Sequence, residues 1–166
     1  MFEQTYKLVK FFKESKRING RKKLQKTIHL LQHFGNDFDM NYYYHYYGPY
    51  SSDLQAEVQF LVDQGLVKEE RLFDGYIYNI TDRGEDFLKS FEEKFDVDDS
   101  SLFFDKLDAL KEKNASFLEV LSTFVYLLES GYDKELAIEK TKELKANLSH
   151  LLEDVIVFFE NELQGN

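Results

Sequence analysis

An Asp-Gly pair between two short strand-like segments is the feature that most restricts the fold of this chain. Leu66–Leu72 and Tyr76–Thr81 are joined by Phe73-Asp74-Gly75. Asp-Gly readily adopts the positive φ angles that a tight hairpin needs, so we predict two antiparallel strands here. Helical patterns lie on both sides of this hairpin. The chain is therefore expected to be mainly α with a small β-hairpin.

Two amphipathic helices are predicted near the start of the chain. The first runs from Glu3 to about Lys16 and the second from about Arg21 to His33, with Asn19-Gly20 as the break between them. In each helix apolar residues recur at helical spacing on one side and basic residues on the other. In the second, the inward positions are Leu24, Ile28 and Leu31, and the outward positions are Lys22 and Lys26.

A tyrosine-rich segment and a third helix follow. Residues 38–47 are predicted to be extended, because a dense run of tyrosines suits a pleated surface, and Gly48-Pro49 is predicted to turn the chain. Ser52 is expected to cap the third helix, with Gln55 completing a capping box. Leu54, Val58 and Leu61 form the apolar stripe of that helix, and Gly65 ends it. After the hairpin, Asp82 is expected to cap a helix that runs to about Phe95.

The order helix, helix, strand, helix, hairpin, helix is that of a winged helix-turn-helix domain, which we assign to residues 1–95. Residues 96–101 form a polar linker, and residues 102–163 are expected to form a helical subdomain that packs on the first domain or dimerises. Within it we predict helices at Leu102–Lys113 and Ser116–Glu129, the latter with Ser116 and Glu119 as a capping box, and a third helix capped by Asp133. Residues 134–163 form either one helix with a coiled-coil seam or two helices, with Asn147 or Ser149 capping the second; the two-helix form is favoured.

Two short motifs resemble a known family. The segment Gly20-Arg21-Lys22-Lys23-Leu24-Gln25-Lys26, followed by Tyr44-His45-Tyr46-Tyr47-Gly48-Pro49-Tyr50-Ser51, resembles the YwgA-type family of small bacterial proteins, as does the stretch at 131–140. More distantly, Lys-Leu-Gln-Lys followed by Gly-Pro resembles the Panacea antitoxin domain. The resemblance implies a winged-helix core with a helical C-terminal part, and for Panacea the neutralisation of toxins through protein contact. It implies no catalytic residue.

Charge is distributed unevenly along the chain. The formal net charge is −10, yet residues 1–33 contain nine Lys/Arg against Glu3 and Glu14. Such a basic segment on an acidic body can bind phosphate, bind an acidic protein partner or neutralise the rest of its own chain. The candidate basic platform consists of Lys7, Lys10, Lys13, Arg17, Arg21, Lys22, Lys23 and Lys26.

The third helix carries the wrong charge for ordinary major-groove docking. Residues 51–65 contain Asp53, Glu57 and Asp63 and no Lys or Arg, whereas affinity for the DNA backbone comes mainly from basic side chains. We therefore expect a non-enzymatic regulatory protein that binds a protein partner, as an antitoxin, adaptor or inhibitor. The alternative is a DNA-binding transcriptional regulator that uses the basic face of helices 1 and 2 and dimerises through its C-terminal helices.

The tyrosine run and the third helix supply candidate contact residues. Tyrosines at 42–44, 46, 47 and 50 either stack on bases or anchor an interface, or belong to a strand with one face in the core. Gln55 and Gln59 have the side chains that read adenine in a groove. The predicted partner-contact residues are Tyr44, Tyr46, Tyr50, Gln55, Gln59 and Asp63.

No motif points to catalysis or to a cofactor. His29 and His33 stand four residues apart, as paired metal ligands do, but no Glu in that spacing accompanies them, so a solvated helix face is the preferred interpretation over a metal site. The chain has no cysteine, which excludes thiolate chemistry. No Ser-His-Asp spacing, nucleophile elbow or phosphate-cradling glycine loop is present. Without a long apolar run or a signal-peptide pattern, the expected location is the cytoplasm.

Overall fold

The structure, a computed structural model, describes residues 2–97 and 104–164. They form a mainly helical protein with two small antiparallel sheets. This agrees with the prediction of a mainly α fold that contains a β-hairpin. The elements up to residue 97 are α1 Glu3–Ser15, β1 Arg17–Asn19, α2 Arg21–His33, β2 Tyr43–His45, β3 Gly48–Tyr50, α3 Ser52–Asp63, β4 Val67–Leu72, β5 Gly75–Ile80 and α4 Asp82–Lys94. Those from residue 104 onward are α5 Leu107–Lys111, α6 Ala115–Glu129, α7 Lys134–Leu144, a 3₁₀-helix Ala146–Leu151, α8 Leu152–Phe158 and a π-helix Phe159–Leu163. Among the described residues, no helix combines the length and the apolar composition that crossing a membrane requires.

The larger sheet has three strands in the order β1-β5-β4. The predicted hairpin is confirmed, with Val67 opposite Ile80 and Leu72 opposite Gly75. The sequence did not predict β1, whose Ile18 lies opposite Tyr78. Three residues are too few for alternating hydrophobicity to be visible, and the partner strand lies about sixty residues away along the chain.

The second sheet corrects the predicted position of a turn. β2 and β3 pair antiparallel, with Tyr43 opposite Tyr50 and His45 opposite Gly48, so the chain reverses at Tyr46-Tyr47. The prediction of a turn at Gly48-Pro49 was wrong, because these residues belong to the returning strand. Gly48 has a φ of 95°, and a Cβ there would lie 2.8 Å from the Thr123 hydroxyl of α6, so the close approach to α6 requires glycine.

Two helix caps lie one residue earlier than predicted. The Ser51 hydroxyl, not that of Ser52, accepts a hydrogen bond from the Leu54 amide at the start of α3. The Thr81 hydroxyl, not the Asp82 carboxylate, accepts from the amide of Gly84 at the start of α4. Both caps have an extended backbone, as capping residues do, and adjacent Ser-Ser and Thr-Asp pairs leave the choice to tertiary structure.

Of the two caps predicted for α6 and α7, the first was wrong and the second is confirmed. α6 begins at Ala115 and is capped by Asn114, whose side chain accepts from the Phe117 amide, so the predicted capping box of Ser116 and Glu119 was wrong. Glu119 is buried and makes ion pairs instead. The Asp133 cap of α7 is confirmed by its bond to the amide of Leu136.

A single apolar cluster joins the helices of both described stretches. α2 packs against α6, and α1 packs against α3, α4 and β5. Fully buried rings, such as Phe11, Phe12 and Phe124, contribute about 1.5–3 kcal/mol each relative to exposure. The division into domains at 95 and 102 remains a prediction, and positions 98–101 of the linker lie outside the described residues, as do the first two residues of the helix predicted at 102–113.

The helical stretch from 134 onward is interrupted. α7 ends at Leu144, Lys145 has non-helical angles of φ −119° and ψ 46°, and a 3₁₀-helix follows. The favoured break is therefore present, but it lies at Lys145 and not at an Asn147 or Ser149 cap, since no side-chain cap bond is made there. The break allows α8 to pack against α6.

Candidate functional site

The predicted basic platform is largely paired with the protein's own carboxylates. Five of its eight residues have a carboxylate oxygen within 4.0 Å of their charged nitrogen. The pairs that join separate elements are Lys10–Glu92 at 3.6 Å, Lys13–Glu85 at 3.2 Å, Arg21–Glu69 at 3.6 Å and Lys22–Glu119 at 2.8 Å. Arg17 is exposed and donates to the side chain of Asn19 within its own strand. The Lys23 ammonium donates to the carbonyl of Lys111 on α5.

Lys26 is not on an outer face. The helical pattern of α2 predicted an outward position beside Lys22, but Lys26 is 2% exposed and its ammonium donates to the Pro49 carbonyl of β3. Burial, the largest cause, and the nearby Lys145 and Lys22 ammonium groups together lower the pKa of Lys26 to about 8, although Glu119 opposes them. Its placement results from α6 and the β2–β3 hairpin covering this side of α2, which helical periodicity in α2 does not reveal.

Glu119 is the centre of a buried ion cluster that the sequence analysis did not identify. Its two carboxylate oxygens face Lys22 at 2.8 Å and Lys145 at 3.0 Å. Burial raises the pKa of Glu119, but the hydrogen bonds from the two lysines outweigh that effect and the net pKa is lowered. The available signal was the charge of Glu119 in the mostly apolar first half of α6, and this residue was attributed to a cap.

A cavity of about 340 Å³ opens above this cluster. It is bounded by the first half of α2, by the β2–β3 hairpin and by Gln55 of α3. Gln25 holds two of these walls together, because its side-chain amide donates to the Ser51 carbonyl at 2.8 Å and its oxygen accepts from the Ser51 amide at 2.9 Å. The walls are therefore fixed relative to one another by buried hydrogen bonds.

The predicted partner-contact residues fall into two groups. Tyr44 and Tyr50 are half-buried, and Gln55 and Tyr50 line the cavity. The exposed members are Tyr46, at the β2–β3 turn, and Gln59 and Asp63, on the outer side of α3. Gln59 donates to the carboxylate of Asp63.

Aromatic rings project from the tips of both hairpins. Tyr46 is 80% exposed at the β2–β3 turn, and Phe73 is fully exposed at the β4–β5 turn. From the sequence, Phe73 was predicted only as part of the turn. Large exposed aromatic side chains are the residue type that anchors protein interfaces.

A Ser–His–Glu cluster is assembled from distant parts of the chain. His29 Nδ1 lies 2.7 Å from the Ser122 hydroxyl, and His29 Nε2 lies 2.7 Å from Glu129, which His33 also contacts at 3.0 Å. The preferred interpretation of His29 as part of a solvated face was wrong, since its ring is buried. The partners come from α6, more than ninety residues away, so spacing within the sequence could not reveal them.

The geometry of this cluster fits a structural role. An ionised Glu129 only accepts, so Nε2 of His29 carries a proton, and in the neutral ring Nδ1 accepts from Ser122. Burial lowers the pKa of His29, which favours this neutral form, although Glu129 opposes the shift. Ser122 and His29 are both buried, so neither nucleophile nor base is open to solvent. In the described part of the chain, no group of three or more His, Cys, Asp or Glu residues could hold a metal ion.

Comparison with known proteins identifies a relative that covers most of the chain. No protein-family model matches the sequence. The chain is 31% identical over 158 residues to the protein of Bacillus subtilis (strain 168) named "Uncharacterized protein YwgA". The match spans 93% of this chain and 91% of that relative. Identity of this level over nearly the whole of both proteins shows common ancestry and a shared fold. The chain therefore belongs to the YwgA family.

Proposed function

We propose that residues 2–97 form a winged-helix unit whose wing is the β4–β5 hairpin. The order of α1, β1, α2, α3, β4 and β5 supports this, as does the β1-β5-β4 sheet, in which a short strand before α2 pairs with the second wing strand. The short β2–β3 hairpin is inserted between α2 and α3. α5 and α6 pack against α2, and α7 and α8 pack on α6, so that these helices extend the unit.

We further propose that the protein is a non-enzymatic regulator that acts by binding a protein partner. The observation that carries this proposal is the internal pairing of the N-terminal cations. Lys10 and Lys13 of α1 each face a carboxylate of α4, and Lys26 is buried. Binding to a DNA backbone would have to break these pairs before phosphates could replace them, which removes much of the gain from counterion release.

The exposed side chains of α3 and of the two hairpins that flank it in the sequence suit a protein better than a duplex. Asp53 and Asp63 are exposed on α3, and Tyr46 and Phe73 project from the flanking hairpins. We propose that these two rings are anchors for an interface with a polar, acidic rim. Burying exposed aromatic rings in a partner supplies the largest single contributions to such interfaces. The burial of His29 and Ser122 supports a role without catalysis.

Affinity capture with paired variants tests this proposal. The full chain is used as bait in cells of its native host, with and without nuclease, and captured proteins are identified by mass spectrometry. The test variant is Tyr46→Ser with Phe73→Ser. The control is Leu136→Ser with Val157→Ser, which removes apolar side chains of α7 and α8 that are about half exposed.

The expected result is a partner whose recovery resists nuclease, is unchanged with the control and falls at least about tenfold with the test variant. Recovery that disappears with nuclease would instead favour the DNA-binding regulator. Recovery that is equal for all three baits would contradict the anchoring role of the two rings. The homodimer through the C-terminal helices remains a prediction, and the mass of the purified chain in solution tests it.

A further inference from the structure

The cavity beside α2 has more cations than the described carboxylates within 4.0 Å of them balance. Arg21, Lys22 and Lys26 line it, and none of its lining residues is acidic. This is notable in a chain whose formal net charge is −10. The cavity is separate from the two exposed rings proposed to bind a partner, although its hairpin wall also carries Tyr46.

The ion pairs around the cavity do not balance. Lys145 does not line the cavity but shares Glu119 with Lys22, and the carboxylates within 4.0 Å of the three lining cations and Lys145 are Glu119 and Glu69. Two positive charges are therefore in excess when all four cations are protonated. The Lys26 ammonium has a backbone carbonyl as its hydrogen-bond partner and, within the described residues, no carboxylate inside 4.0 Å.

The buried environment of Lys26 favours the binding of an anion in the cavity. Burial and two neighbouring ammonium groups lower the pKa of Lys26 to about 8, more than Glu119 raises it. A buried cation of this kind is costly unless a negative group accompanies it. A dianion in the cavity would compensate the excess charge.

The remaining walls suit a small organic molecule. Tyr47 and Tyr50 place aromatic rings along the hairpin side, and Gln55 provides an amide on the side of α3. The Lys22 ammonium lies 4.4 Å above the centre of the Tyr47 ring. The volume of about 340 Å³ lies in the range of small-ligand sites.

We propose that this cavity binds a small organic phosphate, with the phosphate monoester beside Arg21, Lys22 and Lys26 and the organic part against Tyr47 and Tyr50. A phosphate monoester carries a charge of about −1.5 to −2 near neutral pH, which matches the excess. Its oxygens accept charge-assisted hydrogen bonds from the guanidinium and ammonium groups. No protein partner takes part, so this site and the proposed function can fail independently.

Calorimetric titration of the full chain tests the site with defined probes. They are adenosine 5′-monophosphate, ribose 5-phosphate, inorganic phosphate and adenosine. The test variants are Arg21→Gln and Lys22→Gln. The controls are Arg17→Gln and Lys13→Gln, which make the same charge changes at exposed residues outside the cavity lining. NMR of the wild-type chain locates the binding and does not depend on the folding of any variant.

The proposal is supported if one or both organic phosphates bind more tightly than inorganic phosphate and shift the NMR signals of Tyr47, Tyr50 and Gln55. Each test variant is then expected to weaken binding about tenfold or more, and each control less than about twofold. The proposal is overturned if adenosine binds as tightly as its monophosphate, or if the controls weaken binding as much as the test variants. It is also overturned if the organic phosphates bind no more tightly than inorganic phosphate. The same holds if no probe at a concentration of about 10 mM shifts the NMR signals of these residues, because that concentration would nearly saturate a site with a Kd of about 1 mM.

Discussion

The Lys145 ammonium lies 3.0 Å from the Glu119 carboxylate, and both side chains are buried. Lys145 is the residue directly after the end of α7, and its ammonium also donates to the Tyr46 carbonyl at 3.1 Å. Glu119 pairs through its other oxygen with Lys22 of α2. The Glu119 carboxylate thus connects α6 with α2 through Lys22, and with the C-terminal helices and the β2–β3 hairpin through Lys145. The interruption after α7 lies where this cluster forms.

Glu119→Gln is expected to destabilise the protein by about 3–5 kcal/mol, because the substitution leaves buried ammonium groups without a compensating charge. Urea unfolding at pH 7 measures the effect. Glu112→Gln, at an exposed position before α6, is the control and is expected to change stability by less than about 0.5 kcal/mol. Adding Lys145→Met to Glu119→Gln should recover part of the loss. A loss equal to that of the control would show that the cluster contributes nothing to stability.

Glu129→Gln is expected to cost stability above pH 4.5 but not in strong acid. Burial raises the pKa of Glu129, yet hydrogen bonds from His29 and His33 lower it more, to about 2. Since this folded-state pKa lies below the ordinary value of 4.5, the carboxylate stabilises the fold above pH 4.5 and loses that effect as the pH falls towards 2. The carboxylate is partly exposed, so the cost at pH 6 is about 1 kcal/mol.

Urea unfolding of wild type and Glu129→Gln between pH 6 and pH 2.5 measures this difference. The difference in unfolding free energy should shrink over the range. Glu153→Gln, an exposed change on α8, should show no such trend. A difference that stays constant with pH would mean that Glu129 retains an ordinary pKa.

Lys26→Met is expected to reduce the rise in stability between pH 7.5 and pH 9.5. The pKa of Lys26 is about 8 in the folded protein, against the ordinary 10.5, mainly because of burial. Between these values the unfolded chain binds more protons, so stability increases with pH in the wild type. The comparison uses urea unfolding with Lys142→Met, an exposed change on α7, as control. Parallel pH profiles for Lys26→Met and wild type would contradict the lowered pKa.

Gly84→Ala is expected to destabilise the protein by about 1–3 kcal/mol, although alanine is the better helix former. A Cβ at this position of α4 would lie 2.2 Å from the Leu66 carbonyl oxygen and 2.7 Å from Ile80 Cγ1. The backbone contact cannot be relieved by a rotamer change, so α4 would have to move away from the β4–β5 hairpin. Thermal unfolding measures this, with Ser90→Ala on the exposed side of α4 as control. A higher melting temperature for Gly84→Ala would show that the close approach is absent.

The longer amphipathic elements could be predicted from the sequence. The bounds of α2 and the strands of the β4–β5 hairpin agree with the structure to within a residue or so, since each is long enough for its periodicity to be visible. β1 could not be predicted, because three residues carry no clear pattern and Ile18 is held by a strand distant in sequence. The caps at Ser51 and Thr81 were displaced by one residue because each has a polar neighbour that could also serve as a cap.

The candidate site was less predictable than the fold. The distribution of charged residues along the sequence identified a basic N-terminal segment and an acidic third helix. Both are properties of the amino-acid sequence alone. α6 decided whether Lys22 is free to bind a ligand, whether Lys26 is buried and which side chains His29 contacts. Its Glu119, Ser122 and Glu129 lie about a hundred residues away along the chain. The sequence by itself determined periodicity, local turns and total charge, which depend on neighbouring residues. Only the tertiary structure decided which charges are neutralised, because Coulomb interactions and burial depend on distance in space and not on distance along the chain.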